Sequence, residues 1–368
     1  MITRLYVDNF RCLVNFELKL ENFNLLAGLN GSGKSSVLDV VDGLQRLLSG
    51  QAKVNDKSVL PYASRTRWSD RDTQVVELHT QVGGEEMRYR LKVQHESGGR
   101  RARIIEERLA VPDGPLFLFE NGDVQLYRDN LSEGPKFAAE WSESALARVP
   151  PRHDNQRLTA FLELMRRVQV CRLNPAAFVN DTPQESQGLS RNGENFSSWY
   201  RHLLQEHGDS FEYRAILQKT IPGFQKLRLE KVGSEARTLV AVFGSGKEEY
   251  ELALEELSDG QRVLLVLYGL LHFLDKSGRL LFLDEPDNFL AASEIQPWLL
   301  CAEDAIGDGL PQVVIVSHHA EVIDYLGGDR GILLEREVTG VTKTRPLRDV
   351  GIPDTMKLSE VITRGWEQ

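Results

Sequence analysis

Phe23-Asn24-Leu25-Leu26-Ala27-Gly28-Leu29-Asn30-Gly31-Ser32-Gly33-Lys34-Ser35-Ser36 is the stretch on which the fold turns. A short apolar run enters a Gly-x-x-x-x-Gly-Lys-Ser loop. Beyond it Val37, Leu38, Val40, Val41, Leu44, Leu47 and Leu48 fall mostly at helical spacing, so a helix of about four turns is expected to start at Lys34. Strand, glycine loop and helix in that order make a phosphate loop. The glycines let backbone amides curl around phosphate oxygens, and the helix N-terminus adds partial positive charge. Asn30, Gly31, Ser32, Gly33, Lys34, Ser35 and Ser36 are therefore read as the cradle for ATP. Lys34 would bridge the outer phosphates, and the Ser35 hydroxyl would ligate Mg²⁺. Gly244-Ser245-Gly246-Lys247 repeats the last letters, but Ala241 stands where the leading glycine belongs and no apolar helix follows. That segment is expected to be a hairpin turn.

Outward from the loop, Leu280-Leu281-Phe282-Leu283-Asp284-Glu285-Pro286 is an apolar strand ending in two carboxylates. A buried parallel strand would deliver both to the phosphate site. Asp284 is expected to hold Mg²⁺, and Glu285 to orient and polarise the attacking water. Phosphoryl transfer needs mainly positioning and charge neutralisation, so one carboxylate base and a metal suffice. Val313-Val314-Ile315-Val316-Ser317-His318-His319 ends a second such strand. One of its histidines, read as His318, would reach the γ-phosphate.

Between these lies Leu257-Ser258-Asp259-Gly260-Gln261-Arg262, ahead of the apolar helix 263–274. Ser258 sits at an N-cap position, so its hydroxyl and the following amides form an anion site. Ser258, Asp259, Gly260 and Gln261 would close on the γ-phosphate held by a second subunit.

The totals fit such a chain. Its 368 residues suffice for one large α/β domain or a core with a sizeable insertion. No apolar run is long enough to span a membrane. Residues 1–7 alternate like a strand and lack a signal-peptide core, and three scattered cysteines (Cys12, Cys171, Cys301) form no zinc pattern. A cytoplasmic location is expected. The net charge of −10 argues against a surface that is DNA-binding throughout. Arg100, Arg101, Arg103, Arg166 and Arg167 are the candidates for a local basic stripe, against a plain solvated face.

Along the chain, residues 1–27 read as a hairpin followed by a buried strand. From 72 to 130 the period is two, with a hairpin turning at Gly83-Gly84 and strands near 104–109 and 116–119. Residues 136–168 read as helical, interrupted at Pro150-Pro151, and a strand spans 168–173. The Asn/Ser/Gln/Gly-rich stretch 180–196 reads as a mobile loop. Helices are expected at 199–206 and 211–219, and strands at 227–232 and 238–243. No repeat and no sustained heptad array lies between Lys34 and Ser258.

Together these motifs resemble the ABC-type ATPase superfamily. Leu-Ser-Asp-Gly in the signature narrows the resemblance to the RecF/SMC-like branch, and within it to stand-alone ATPases of the AAA_21 type. Asp8-Asn9-Phe10-Arg11 and Asn192-Gly193-Glu194-Asn195-Phe196 add to the likeness. The resemblance implies an α/β ABC-ATPase head, with a P-loop core and a mixed, antiparallel β subdomain. It adds a mainly helical lobe insertion and no long coiled coil. Residues 1–135 would form the N-terminal part of the core, 136–222 the lobe, and 223–368 the C-terminal part. It makes Arg11 a candidate nucleotide contact, a surface arginine being the alternative. The D-loop equivalent would fall at Asn288-Phe289-Leu290-Ala291, and the Q-loop near Leu173-Asn174, with Gln169 one turn of strand early.

Three functions follow as expectations. The first is a slow ATPase that forms a homodimer or higher homo-oligomer on ATP and Mg²⁺. It would control a partner effector, a nuclease or toxin encoded nearby, in antiviral defence. The second is a RecF-like DNA clamp in repair. The third is a nucleotide-gated scaffold, against which the presence of Glu285 argues.

Overall fold

Two β-hairpin arms and a glycine loop open the chain: Ile2–Asp8 (β1), Phe16–Lys19 (β2) and Phe23–Ala27 (β3) lead into the helix Lys34–Leu48 (α1). The computed structural model describes all residues except 97, 100, 233–234, 275–277, 352–355 and 365–368. Arg100 of the candidate basic stripe thus lies outside the described residues. The chain divides into two compact units, Met1–Val168 with Ile323–Gln368, and Gln169–Val322.

After α1 the first unit runs through six strands, namely Thr73–Val82 (β4), Glu85–His95 (β5), Ala102–Val111 (β6), Gly114–Glu120 (β7), Asp123–Tyr127 (β8) and Glu133–Ala138 (β9), to the helix Gln156–Arg166 (α2). Seven neighbouring antiparallel pairings assemble an eight-stranded sheet in the order β2-β1-β4-β5-β6-β7-β8-β9. The β4–β5 hairpin turns at Gly83 and Gly84, both at positive φ, as its sequence predicts. Alternate residues of these strands face a core in which the Tyr89 ring stacks on Phe161 of α2 at 5.5 Å. Residues 136–168 depart from the helical expectation. Strand β9 continues to Ala138 and the helix starts only at Gln156, past Pro150-Pro151.

In the second unit, Val168–Cys171 (β10), which starts at the boundary, is followed by Asp181–Thr182 (β11), Phe196–His207 (α3) and Phe211–Thr220 (α4). Phe224–Val232 (β12), Ala236–Phe243 (β13) and Tyr250–Ala253 (β14) then form an antiparallel sheet with β11. The Gly244–Lys247 segment is the turn of the β13–β14 hairpin, as expected. Asp259–Leu274 (α5), Leu280–Asp284 (β15), Ala292–Asp308 (α6) and Gln312–Val316 (β16) follow. β15 and β16 pair in parallel, Asp284 opposite Val316, and every residue of both is buried. Past its polar first turn, α5 is a core helix: every residue from Val263 to Leu271 is buried, with Gly269 against Trp199 of α3, and Leu265 O accepts from the Tyr213 hydroxyl of α4 at 2.8 Å.

The chain closes with Ala320–Arg330 (α7), Gly331–Arg336 (β17), Thr342–Pro346 (β18) and Leu358–Thr363 (α8). β17 pairs in parallel with β3 and antiparallel with β18, so the strand entering the glycine loop has this hairpin as a neighbour inside the first unit. The expected 136–222 segment spans the boundary between the units: α2 belongs to the first, α3 and α4 to the second. Among the described residues the longest helix has 17 residues, so no long coiled coil is present.

Candidate functional site

In the first unit the glycine loop is shaped by close approaches. A Cβ on Gly28, at φ +138°, would stand 2.2 Å from Leu334 O of β17, a distance no side chain tolerates. Helix α1 then starts at Lys34 with Gly33 as N-cap. Lys34 is buried, and its ammonium donates to Gly28 O at 2.8 Å, Leu29 O at 2.9 Å and Ser32 Oγ at 3.4 Å. Thr342 of β18 donates its hydroxyl to Ser32 O at 2.8 Å and clamps the loop from behind. Ser36 is buried and Ser35 half-buried, while Asn30 and Gly31 are exposed. An ammonium, hydroxyls and amides at a helix N-terminus, opening to solvent, fit a polyphosphate. Arg11 bonds the Asp39 carboxylate at 2.6 Å and the Ser36 hydroxyl at 3.3 Å, against the first turns of α1.

In the second unit β15 delivers Asp284, 2% exposed, with Arg172 Nε 3.8 Å from its Oδ2. Glu285 comes next in the left-handed region at φ 52°, its N–H donating to Val316 O at 2.9 Å. A non-glycine residue there costs about 1–3 kcal/mol, and such strain persists only where neighbours hold it. Here they do. Asn288 Nδ2 donates to Glu285 Oε2 at 2.8 Å, and His318 Nε2 stands 3.4 Å from Oε1. The carboxylate is thereby aimed rather than free to rotate. His319 Nδ1 accepts the Glu321 N–H at 3.2 Å in the first turn of α7. Asp287 is buried behind them, and burial pushes its carboxyl above the usual range, opposed by a bond from Ser317.

The signature forms a reciprocal cap on α5. Ser258 Oγ accepts the Gln261 N–H at 3.2 Å, and Gln261 Oε1 accepts the Ser258 N–H at 3.0 Å. Arg262 is tied to Asp259 at 2.7 Å and to Pro175 O at 2.6 Å. A Cβ on Gly260 would lie 2.8 Å from Phe289 O. The signature glycine therefore packs on the turn that carries Asn288, and through it reaches Glu285. Ser258 and Asp259 themselves are exposed.

Sequence reasoning missed Arg172 and the Asn288 clamp. The Arg172–Asp284 approach joins strand ends more than a hundred residues apart and has no local signal, whereas Asn288 reaches Glu285 within one turn, three residues on, where the sequence shows the amide but not its aim. Gln169 is buried and donates to Leu189 O at 3.0 Å, inside its own unit. Arg101 and Arg103 line a groove of about 410 Å³ in the first unit with Lys53, but Asp56, Glu96 and Glu140 line it too. This mixture of signs is not a basic stripe. Among the described residues no group of three or more His, Cys, Asp or Glu side chains is set to hold a metal ion. Mg²⁺ on a bound nucleotide needs no such cage, since phosphates and water supply most of its ligands. Among the described residues no helix is long and apolar enough to cross a membrane.

A P-loop core with an antiparallel β subdomain, an N-capped signature helix and a strand ending in Asp-Glu define a P-loop ATPase of the ABC type. The chain belongs to the AAA_21 family, described as "AAA domain, putative AbiEii toxin, Type IV TA system", which it matches over residues 23–324. The fold is that of SMC heads. It resembles an SMC head solved bound to the C-winged helix domain of ScpA, with TM-score 0.59 and 14% identity, covering 94% of this chain and 97% of that one. It also resembles the Pyrococcus furiosus SMC head domain with an extended coiled coil, bound to the C-terminal domain of ScpA. There the TM-score is 0.57 and the identity 13%, over 100% of this chain and 98% of that one. No curated protein matches the sequence.

Proposed function

We propose that the protein is an ATP-hydrolysing switch whose nucleotide-bound homodimer controls a partner effector. In this reading the cradle from Asn30 to Ser36 binds ATP, with Lys34 on the outer phosphates. Ser35 and Asp284 hold Mg²⁺, and Glu285 takes a proton from the attacking water. His318 senses the γ-phosphate from beside that carboxylate. Ser258 to Gln261 present their amides and the Ser258 hydroxyl to the γ-phosphate of a second copy, so that ATP joins two subunits and hydrolysis releases them.

The observation that carries the reading is the clamp on Glu285 by Asn288 and His318. A carboxylate carried on a strained backbone, with a neighbour at each oxygen, fits a positioned base better than a plain strand-end turn. The effector role draws on the family description, which names a toxin and a toxin–antitoxin system. SMC heads solved with ScpA domains bound, which share the fold, are in keeping with a partner here. Defence against foreign genetic elements is the setting this favours.

Phosphate release under saturating Mg-ATP tests the chemistry. Wild type should turn over slowly, and Glu285→Gln should fall about 100-fold or more while still binding ATP. Equal rates in the two proteins would remove Glu285 from the mechanism.

A further inference from the structure

Trp68 is half exposed, an unusual position for so large an apolar ring. It sits on the loop that follows Pro61, and that loop is pinned to the Asn9–Arg11 turn. Thr66 N donates to Asn9 Oδ1 at 3.1 Å, and the Thr66 hydroxyl donates to Arg11 O at 2.9 Å. The tip of the β17–β18 hairpin approaches from the other side. A Cβ on Gly340 would meet the Trp68 ring at 3.0 Å. The Arg336 guanidinium carbon lies 5.8 Å from the ring centroid, and Arg336 Nε donates to Gly340 O at 3.1 Å. Arg336 also faces the glycine loop, its Nη1 4.0 Å from where a Gly31 Cβ would stand. Thr342 fixes the hairpin to that loop through Ser32 O.

All these residues belong to the first unit. A half-exposed indole thus lies one side chain away from the exposed end of the phosphate cradle, with a cation between them. Leu29, within the loop itself, is also half exposed. A polyphosphate alone has no use for such surface. A flat aromatic group attached to a polyphosphate does.

We propose that Trp68 is the stacking platform for the base of the nucleotide held by the glycine loop, and that Arg336 spans from the ring toward the sugar and the inner phosphate. The proposal rests on the P-loop reading and adds what that reading leaves open, a site for the base. Stacking accepts any base but strengthens with ring area, so purine nucleotides should be preferred over pyrimidine ones. By alanine substitution, base–aromatic stacking changes affinity by about 5- to 150-fold.

The experiment is equilibrium titration of the full chain, in the Glu285→Gln background to prevent turnover, with Mg-ATP, Mg-UTP and Mg-tripolyphosphate. Trp68→Ala should weaken ATP by about 5- to 150-fold, shrink the ATP-over-UTP preference and leave tripolyphosphate unchanged. Trp68→Phe should recover most of the loss. Unchanged ATP affinity in Trp68→Ala would overturn the platform while leaving the P-loop reading intact. An equal loss of ATP and tripolyphosphate would overturn it too, because the ring would then be supporting the loop and not the base. If the unsubstituted background binds neither ATP nor tripolyphosphate, the P-loop reading itself fails.

Discussion

His318 Nε2 stands 3.4 Å from Glu285 Oε1, on a carboxylate whose other oxygen accepts from Asn288. The residue that would sense the γ-phosphate and the residue that would activate water are therefore adjacent. Removing either neighbour loosens the aim of the carboxylate without touching the glycine loop. His318→Ala and Asn288→Ala should each slow phosphate release by about 10- to 100-fold, the range of a hydrogen bond to a charged group. Their effects should combine to less than the product, because both act on one carboxylate. Steady-state kinetics on the two single variants and the double variant decide this; full additivity would mean they act separately.

Lys34 should dominate binding. Its ammonium is held inside the loop by Gly28 O and Leu29 O, ready to exchange toward phosphate. Lys34→Ala should lower Mg-ATP affinity by about 10- to 100-fold, read by titration. Retained affinity would place the phosphates elsewhere.

Gly260 connects the signature to the turn that follows Glu285. With Phe289 O only 2.8 Å from a Cβ, Gly260→Ala must shift that turn, at about 1–3 kcal/mol of overpacking. The expected result is a lower melting temperature and slower phosphate release, with ATP affinity of the isolated subunit preserved. Wild-type turnover in this variant would uncouple the two segments.

Acid sensitivity should arise away from the site, at His95. Its ring is buried with Nε2 2.8 Å from Gln74 Oε1, and burial, aided by Arg65, lowers its pKa from 6.5 to about 4. Between those values the unfolded chain takes up a proton that the folded chain refuses. The contribution is therefore intact above pH 6.5 and lost as pH falls toward 4. From pH 7 to pH 5 this is about 2 kcal/mol. Denaturant unfolding at the two pH values should show that loss in wild type and less of it in His95→Gln, which keeps a donor for Gln74 but does not titrate.

The glycine loop, α1, the β4–β5 hairpin and the parallel pair β15–β16 were legible because each is written locally, in a loop motif, a period or an apolar run. β9 was not. Glu133–Ala138 is an edge strand exposed along most of its length, so it shows no alternation of buried and exposed residues to read. The β17–β18 hairpin was also missed, although it backs the glycine loop through Thr342 and carries Arg336. The 180–196 stretch, read as a loop, is knotted around Asn195, whose side chain bonds Ser190 N at 2.7 Å, Ser186 Oγ at 2.8 Å and Gly188 O at 2.9 Å. Composition marks such a segment as irregular but carries no record of which amide organises it. At the site, the motif residues were nameable from sequence, whereas Arg172 beside Asp284 and Trp68 beside Arg336 emerge only when distant segments are folded together.

If ATP joins two copies through Ser258 and its neighbours, the light-scattering mass of Glu285→Gln must respond to Mg-ATP. The protomer should double in mass on Mg-ATP and stay single when Ser258→Arg is added. A protomer mass unchanged by Mg-ATP, in protein shown to bind the nucleotide, would contradict it.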